Sequence, residues 1–222
     1  MESHIVKVLS ITPVTHNVKR YKVEKPEGYT FVPGQATEVA VNKPGWEDER
    51  RPFTFTGLNE WNHLEFTIKS YADHHSVTDL LGHIKPGDSL IIHDVWGAIH
   101  YKGEGVFIAG GAGVTPFIAI FRDLQRKGQL GNNKLFFSNR TYADIILKEE
   151  FEQMLGNNFI NTITREEVPG YEHHIIDEAY LKRNISHFNQ HFYICGPDPM
   201  VQQLREVLEK LSGEADLVTV EI

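Results

Sequence analysis

The chain has 222 residues, 41% hydrophobic and 23% charged, as expected for a globular protein with one large or two modest domains, and its net charge of −8 argues against a nucleic-acid partner. No apolar stretch approaches the roughly 20 residues of a membrane helix, and residues 1–7 lack the features of a signal peptide. The single Cys195 excludes an internal disulfide and a four-cysteine iron–sulfur cluster, which indicates a reduced, cytoplasmic setting.

Short alternating segments separated by turn residues predict β-strands in the first half of the chain. The predicted strands are residues 4–11, 18–23, 37–41, 52–58, 63–70 and 89–93. A short helix, starting at His75 or Ser76, is predicted before the last of them. Six strands without a long helix predict a small antiparallel barrel.

In the second half, predicted strands alternate with predicted helices. The strands are residues 106–109, 134–138, 161–164, 191–195 and 217–222, and the helices follow them up to residues 127, 155, 184 and 211. This order predicts a parallel sheet with helices on both faces. We therefore expect two domains, residues 1–102 and 103–222, with net charges of −2 and −6. The first could present a local basic face to an acidic partner, or only a solvated surface.

Residues 110–116, Gly-Gly-Ala-Gly-Val-Thr-Pro, lie between a predicted strand and a predicted helix. This arrangement is typical of a dinucleotide pyrophosphate site, because glycines let the backbone approach the phosphates and the helix start offers free N–H groups. Thr115 is expected to be the N-cap and Pro116 the first helical residue. The spacing departs from the common G-x-G-x-x-G fingerprint, so a tight turn without a ligand is the alternative.

Several further motifs follow one another in an order that, with the predicted barrel and sheet, resembles the ferredoxin–NADP reductase family over essentially the whole chain. The matching segments are Phe31-Val32-Pro33-Gly34-Gln35, Arg51-Pro52-Phe53-Thr54, Ile68-Lys69, His75-Ser76-Val77-Thr78 and Cys195-Gly196-Pro197 followed by Met200. The resemblance implies an FAD-binding barrel, an NAD(P)-binding α/β domain, and two cofactors whose reactive atoms meet between them.

The resemblance assigns FAD to residues 51–54, with Ile68, Lys69, Ser76, Val77 and Thr78 as the second flavin segment. The Arg51 guanidinium would pair with the pyrophosphate, and the Thr54 hydroxyl would lie near flavin N5. Phe53 stands where the family usually has Tyr, so we expect weaker FAD retention. The alternatives are a strand-edge salt bridge for Arg51, barrel core for Phe53, and a simple N-cap for Ser76.

The same resemblance assigns NAD(P)H to the second domain. Its pyrophosphate would be held by Gly111, Gly113, Thr115 and Pro116, and its nicotinamide by Cys195, Gly196, Pro197 and Met200, with the Cys195 sulfur near C4. Asn139-Arg140 and Thr164-Arg165 stand where the family binds the adenosine 2′-phosphate. Two arginines favour NADPH, although NADH stays open because either arginine could bind the shared pyrophosphate instead.

The last residues, Val220-Glu221-Ile222, depart from the plant-type ending, in which an aromatic residue follows V-E-x and covers the flavin. Glu221 is a candidate proton relay near the flavin and nicotinamide. An exposed carboxylate in a terminal strand is the alternative.

The implied function is an FAD-dependent NAD(P)H oxidoreductase, a monomer, that passes hydride from nicotinamide C4 to flavin N5. Electrons would then reach a ferredoxin, a flavodoxin or a small acceptor, with no membrane partner. A non-catalytic flavin- or nucleotide-binding regulator is the main alternative, and a flavin-free dehydrogenase is a third. No metal is expected, because neighbours in the pairs His74-His75 and His173-His174 would point to opposite faces of a strand.

Overall fold

The structure is a computed structural model that describes residues 3–71, 76–97 and 99–221. The chain divides into two compact units. The first unit is Met1–His100 with Thr115–Asp123, and the second is Tyr101–Val114 with Leu124–Ile222. The domain boundaries 1–102 and 103–222 stay a prediction.

The described part of the first unit contains a six-stranded antiparallel sheet. Its strands are β1 His4–Pro13, β2 Val18–Glu24, β3 Ala36–Val41, β4 Arg51–Thr54, β5 His63–Lys69 and β6 Ser89–Trp96, with helix α1 Val77–His83 between the last two. The strands pair in the order β4-β3-β6-β1-β2-β5. An antiparallel bridge from Phe55, just after β4, to Phe66 of β5 joins the two ends of the sheet. The predicted antiparallel barrel is confirmed.

Apolar residues on the inner face of each strand form the core of this unit. Tyr21 of β2 and Phe66 of β5 are fully buried partners in the ladder. The rings of Phe31 and Phe55 stack with their centroids 4.2 Å apart. Burying a large apolar side chain of this kind contributes roughly 1.5–3 kcal/mol.

Strand β4 ends at Thr54, earlier than the predicted end at residue 58. The reason is a change of hydrogen-bond partner along the chain. Phe55 N–H donates to the carbonyl of Gln35 at 3.0 Å, whereas Thr56 N–H donates to that of Glu65 at 2.8 Å. The chain therefore crosses from the β3 side to β5 within one residue, which ends the regular ladder.

The described part of the second unit contains a five-stranded parallel sheet, as predicted. Its strands are β7 Gly105–Gly110, β8 Lys134–Asn139, β9 Phe159–Ile163, β10 His191–Cys195 and β11 Val218–Glu221, in the order β11-β10-β7-β8-β9. The helices of the second half of the chain are α2 Thr115–Arg126, α3 Lys148–Leu155, α4 Glu178–Asn184 and α5 Asp198–Ser212. Short 3-10 turns cover Gly111–Val114, Tyr142–Asp144, Gly156–Asn158 and Ala215–Leu217.

The strand order reverses beside β7, the central strand. After β7 the chain moves to β8 and β9 on one side, and later returns to β10 and β11 on the other. Such a reversal opens a crevice at the carboxyl ends of the strands, where open α/β sheets bind ligands. The register places Ala109 of β7 beside Cys195 of β10, so the loops after these two strands are neighbours.

Some predicted features lie outside the described residues. They are the His74-His75 pair, His75 as a helix start, and Ile222 at the end of the last strand. Ser76, the other predicted start, is the N-cap residue of α1. Within the described ranges, no helix combines the length and the apolar run that crossing a membrane requires.

Candidate functional site

The glycine-rich loop leaves β7 and turns at once into helical backbone. A 3-10 turn covers Gly111–Val114, and α2 follows without a break at Thr115. The prediction of Thr115 as N-cap and Pro116 as first helical residue is therefore wrong, because the preceding turn already occupies the helix start. Gly111 has φ +53°, a left-handed conformation that favours glycine, and open space around it.

The other glycines of the site are required by contact between two loops. A Cβ on Gly110 would lie 2.7 Å from the sulfur of Met200, and one on Gly196 would lie 3.1 Å from the backbone N of Gly110. A Cβ on Gly113 would overlap the backbone carbonyl of Cys195. The loop after β7 is thus packed directly on the loop after β10, whereas the half-buried Gly111 has open space beside it.

Cys195 ends β10 and stands beside Glu221 of β11 in the parallel register. Burial raises the pKa of the Cys195 thiol to about 12, and the negative charge of Glu221 adds to the shift. The thiol is therefore protonated at neutral pH. It can contact a ligand as a small neutral group, but it is not poised as a nucleophile.

The loop after Cys195 leads into α5. Pro197 is the N-cap residue of this helix, and its carbonyl accepts the N–H of Met200 at 2.9 Å. The side chain of Met200 packs against the apolar core of the second unit while its sulfur covers Gly110. Met200 therefore has a structural contact that the sequence motif alone did not indicate.

The residues predicted to bind the adenosine phosphate come together at the ends of β8 and β9. Thr164 N–H donates to the carbonyl of Asn139 at 3.0 Å, and Arg165 N–H donates to that of Arg140 at 2.9 Å. Both arginines are exposed. Asn139 is only 3% exposed, and neither polar atom of its amide has a hydrogen-bond partner among the described residues. A buried amide of this kind is costly unless a ligand or water satisfies it.

An aromatic cluster that the sequence reasoning missed lies next to Arg140 in the chain. The Tyr142 ring is 43% exposed, 5.3 Å from the ring of Tyr171 between centroids, and 5.8 Å from the Lys148 ammonium. The N–H of Tyr142 donates to the Glu166 carboxylate at 2.5 Å. The exposed ring offers a face on which a planar group could stack. In the sequence, the signal for this cluster was an aromatic residue, Tyr142, two positions after the predicted ligand Arg140.

In the first unit, the predicted flavin strand β4 lies at one end of the sheet. Arg51 is exposed, and its Nη1 donates to the carbonyl of Arg50 at 2.6 Å. No carboxylate among the described residues forms an ion pair with it, so the salt-bridge alternative is not what the structure shows. Phe53 is half-buried and packs against the barrel core, while Pro52 is exposed and Thr54 half-buried.

The apolar side chains of the second predicted flavin segment lie in the barrel core. Ile68 and Val77 are buried in the barrel core, 2% and 1% exposed. Lys69 lies over the Tyr71 ring, with 5.8 Å between Nζ and the ring centroid. The Ser76 hydroxyl makes no capping bond and lies 2.8 Å from the hydroxyl of Thr78. These two half-buried hydroxyls and the Lys69 ammonium are the polar groups that the predicted ligands of this segment can offer.

Metal ligands do not cluster in the part of the chain that the structure describes. No group of three or more His, Cys, Asp or Glu side chains converges there as a metal site would require. The pair His173 and His174 is instead bonded locally: the Nδ1 atoms lie 2.9 Å and 2.6 Å from the backbone carbonyls of Glu166 and Ile175.

Comparison with known proteins finds reductases that are similar to this chain. Residues 107–206 match the Oxidoreductase NAD-binding domain family. The chain is 27% identical over 228 residues to the reductase component of propane 2-monooxygenase from Mycolicibacterium goodii, covering 95% of this chain and 65% of that protein. It is 28% identical to NADH-cytochrome b5 reductase 2 from Mycosarcoma maydis, covering 94% of this chain and 69% of that protein. The chain thus spans about two thirds of the length of these relatives.

The fold is shared with a solved ferredoxin NADP+ reductase from Neisseria gonorrhoeae with bound FAD and NADP. The TM-score is 0.85 at 18% identity, covering 100% of this chain and 98% of that one. Together with the observed six-stranded antiparallel and five-stranded parallel sheets, this similarity establishes the two-part architecture. Residues 107–206 match the model of the oxidoreductase NAD-binding domain, and the predicted resemblance to the ferredoxin–NADP reductase family is confirmed at the level of the fold.

Proposed function

We propose that this protein is an FAD-dependent NAD(P)H oxidoreductase. The observation that carries the proposal is the packing of the glycine-rich loop on the Cys195-Gly196-Pro197 loop at the strand-order reversal. Beside that contact, Gly111 has open space next to its backbone, and Cys195 ends β10 with a protonated thiol. The names of the similar proteins, which are reductases of cytochrome b5 and of an oxygenase system, support the same reaction class.

The residues of the first unit fit a flavin diphosphate. Arg51 is exposed and without an ion pair among the described residues, so its planar guanidinium can bind two phosphate oxygens. The hydroxyls of Ser76 and Thr78 supply further polar contacts. Phe53 offers a half-buried ring for stacking, and Thr54, next along β4, would place its hydroxyl by the reactive edge of the flavin.

The residues of the second half of the chain fit a nicotinamide dinucleotide. The open backbone at Gly111, with Gly113, Thr115 and Pro116 after it, would receive the pyrophosphate. The buried, unsatisfied amide of Asn139 would gain its missing partners from the adenosine portion. The exposed Tyr142 ring gives the adenine a stacking surface.

We infer a preference for NADPH over NADH. The backbones of Arg140 and Arg165 are hydrogen-bonded to each other, so their two exposed side chains leave neighbouring backbone positions, next to Asn139. Two positive charges suit a phosphate monoester better than a ribose hydroxyl.

When bound, the two cofactors supply the redox chemistry, in which hydride passes from nicotinamide C4 to flavin N5 and electrons leave the flavin for an acceptor. The protein contributes alignment and exclusion of water. The protonated Cys195 would contact the nicotinamide without reacting with it, and Glu221 beside it would hold or relay a proton. We propose a ferredoxin or flavodoxin as acceptor, or a small oxidant, and a monomeric cytoplasmic enzyme.

Purified protein reconstituted with FAD tests the function. We expect a yellow protein that takes up added FAD and oxidises NADPH with ferricyanide as acceptor. Stopped-flow mixing with NADPH should bleach the flavin absorbance, because hydride transfer reduces it. A protein that takes up no FAD, or whose bound flavin stays oxidised with both NADPH and NADH, would contradict the proposal and favour a regulatory module.

A further inference from the structure

A buried ion pair in the first unit joins helix α2 to the barrel. Nη1 of Arg122 lies 2.6 Å from Oε1 of Glu65 on β5, with the two side chains 9% and 2% exposed. The same Nη1 donates to the backbone carbonyl of Thr56 at 2.7 Å. The helix is otherwise apolar on its buried side, since Phe117, Ile118 and Phe121 of α2 are fully buried.

The groups around the pair hold it in one arrangement. The Thr56 hydroxyl donates to Oε1 of Glu65 at 3.0 Å and lies 3.1 Å from the hydroxyl of Thr67. The guanidinium lies over the ring of Trp61, 5.6 Å from its centroid. The Thr56 hydroxyl is therefore a second donor to the carboxylate oxygen that accepts from Arg122. The Trp61 ring holds the guanidinium in place from one face.

The position of this pair links two segments that the proposed function uses. Thr56 follows the flavin strand β4 by two residues, and its N–H is bonded to the carbonyl of Glu65. Thr115, the proposed pyrophosphate ligand, precedes Arg122 by seven residues, which is two helical turns and puts both side chains on nearly the same face of α2. Thr54, Thr56, Glu65, Thr115 and Arg122 all belong to the first unit.

Net stability is a weak reason for placing an ion pair here. Removing two charges from water is expensive, and replacing a buried pair by apolar side chains of similar volume is often neutral or stabilising. Apolar packing, whose driving force is not directional, also holds α2 on the barrel: Ile120 Cδ1 lies 3.3 Å from where a Cβ on Gly34 would be. A fixed hydrogen-bonded pair instead permits one register of the helix.

We propose that Arg122 is a positioning residue for hydride transfer, which acts by fixing the register of α2 on the barrel. The pair sets where Thr115 stands relative to Thr54, and thereby where a pyrophosphate bound at Thr115 lies relative to the flavin strand. This inference rests on the proposed oxidoreductase function. Misplacement of reacting groups by about 1 Å can slow a reaction about 100-fold, so a small change of register is sufficient.

The test uses the full chain with four variants. Arg122→Met leaves the Glu65 carboxylate buried without its partner, whereas the double variant Arg122→Met/Glu65→Leu removes both charges and keeps the volume. Arg122→Lys can still reach both oxygens and is the conservative variant. Arg126→Met places the same substitution one turn later on α2, at an exposed position, and is the matched control.

Two measurements separate positioning from folding. In FAD-free protein, hydrogen exchange of the amides of residues 115–123 should be at least about tenfold faster in the double variant than in the wild type, while the melting temperature is unchanged. With FAD bound, flavin reduction at saturating NADPH should be about 10- to 100-fold slower, with unchanged FAD content and a larger isotope effect from NADPH deuterated at C4. Arg122→Lys should regain most of the rate, and Arg126→Met should match the wild type.

Each outcome supports or overturns the inference. A stable double variant with wild-type exchange and wild-type flavin reduction overturns it, and so does a double variant that fails to fold, since the pair would then be a stabilising element. A wild-type protein that binds no FAD, or whose flavin NADPH does not reduce, overturns the proposed function and the inference with it.

Discussion

At the scale of single residues, the side chains with proposed roles are those left unsatisfied or constrained by the fold. Asn139 was predicted as a ligand from its place after a strand. Only the tertiary structure shows that both polar atoms of its amide are buried without a hydrogen-bond partner among the described residues. Tyr142 was not predicted, because one exposed tyrosine in a polar segment has no distinguishing local pattern. Arg51 lacks the ion pair that would have given it a structural role within the described residues.

Replacing Arg165 tests the cofactor preference. We expect Arg165→Ala to lower kcat/KM for NADPH about 10- to 100-fold and to leave NADH turnover within about twofold, because a charge-assisted bond to the 2′-phosphate is worth roughly 1.5–3 kcal/mol. Steady-state kinetics with both cofactors measures this. Arg205→Ala, which removes an exposed arginine paired with Glu209 on α5, is the control. Equal losses with both cofactors would show that Arg165 does not recognise the 2′-phosphate.

The Cys195 thiol gives a pH dependence of stability. Its pKa is raised in the folded protein from 9.0 to about 12, so the unfolded chain loses this proton first as the pH rises. The stabilising contribution is complete below pH 9.0 and is lost between pH 9.0 and about 12. When denaturation is measured at a series of alkaline pH values, the free energy of unfolding should fall less steeply with pH in Cys195→Ala than in the wild type.

That comparison is needed because burial also raises the pKa of Tyr21 to about 12, so the protein as a whole loses stability over the same window. Identical slopes for the wild type and Cys195→Ala would contradict the burial of the thiol. Ultraviolet absorbance of the thiolate, followed in the same titration, gives an independent reading of its pKa.

At the scale of elements, alternation predicted the strands well and the ends of elements less well. The period of two in β1 follows directly from one face lying in the core, whereas in β5 the polar face with Glu65 and Thr67 is buried as well. The end of β4 and the start of α2 were missed for different reasons. Strand β4 ends where Phe55 and Thr56 bond to different strands, and α2 is preceded by a 3-10 turn at glycines, which have no helical signature.

Substitution of Gly113 tests the contact between the loops. Gly113→Ala should lower the free energy of unfolding by about 1–3 kcal/mol, because its Cβ would meet the backbone of Cys195, which cannot move aside. Urea denaturation measures this as a lower midpoint at unchanged slope.

Gly110 provides the matched control for that substitution. A Cβ at Gly110 would lie 2.7 Å from the Met200 sulfur and 2.9 Å from Cδ of Pro197. Neither atom belongs to rigid backbone, so Gly110→Ala should cost less than Gly113→Ala, and adding Met200→Ala should restore part of the loss. If Gly113→Ala were as stable as the wild type, the two loops would not be in the contact described.

At the scale of the whole molecule, the two compact units are not separated by a single cut in the chain, unlike the two predicted domains. Residues 115–123 of α2 group with the first unit, although the glycine-rich turn before them belongs to the second. In the sequence α2 is simply the helix after a strand, and its apolar pattern does not say which core it joins. Arg122 and Glu65, separated by 57 residues, are bonded in the first unit.

The sequence by itself determined the order and type of the elements, the antiparallel-then-parallel architecture, and the chemical types of the candidate cofactor ligands. These depend on local periodicity and on short motifs, which are readable from neighbouring residues. Only the tertiary structure decided that Gly110 packs on Gly196, that Arg140 adjoins Arg165, and that Arg122 is bonded to Glu65. Such pairs join residues far apart in the chain, and their energy depends on burial and exact placement, which no local pattern encodes.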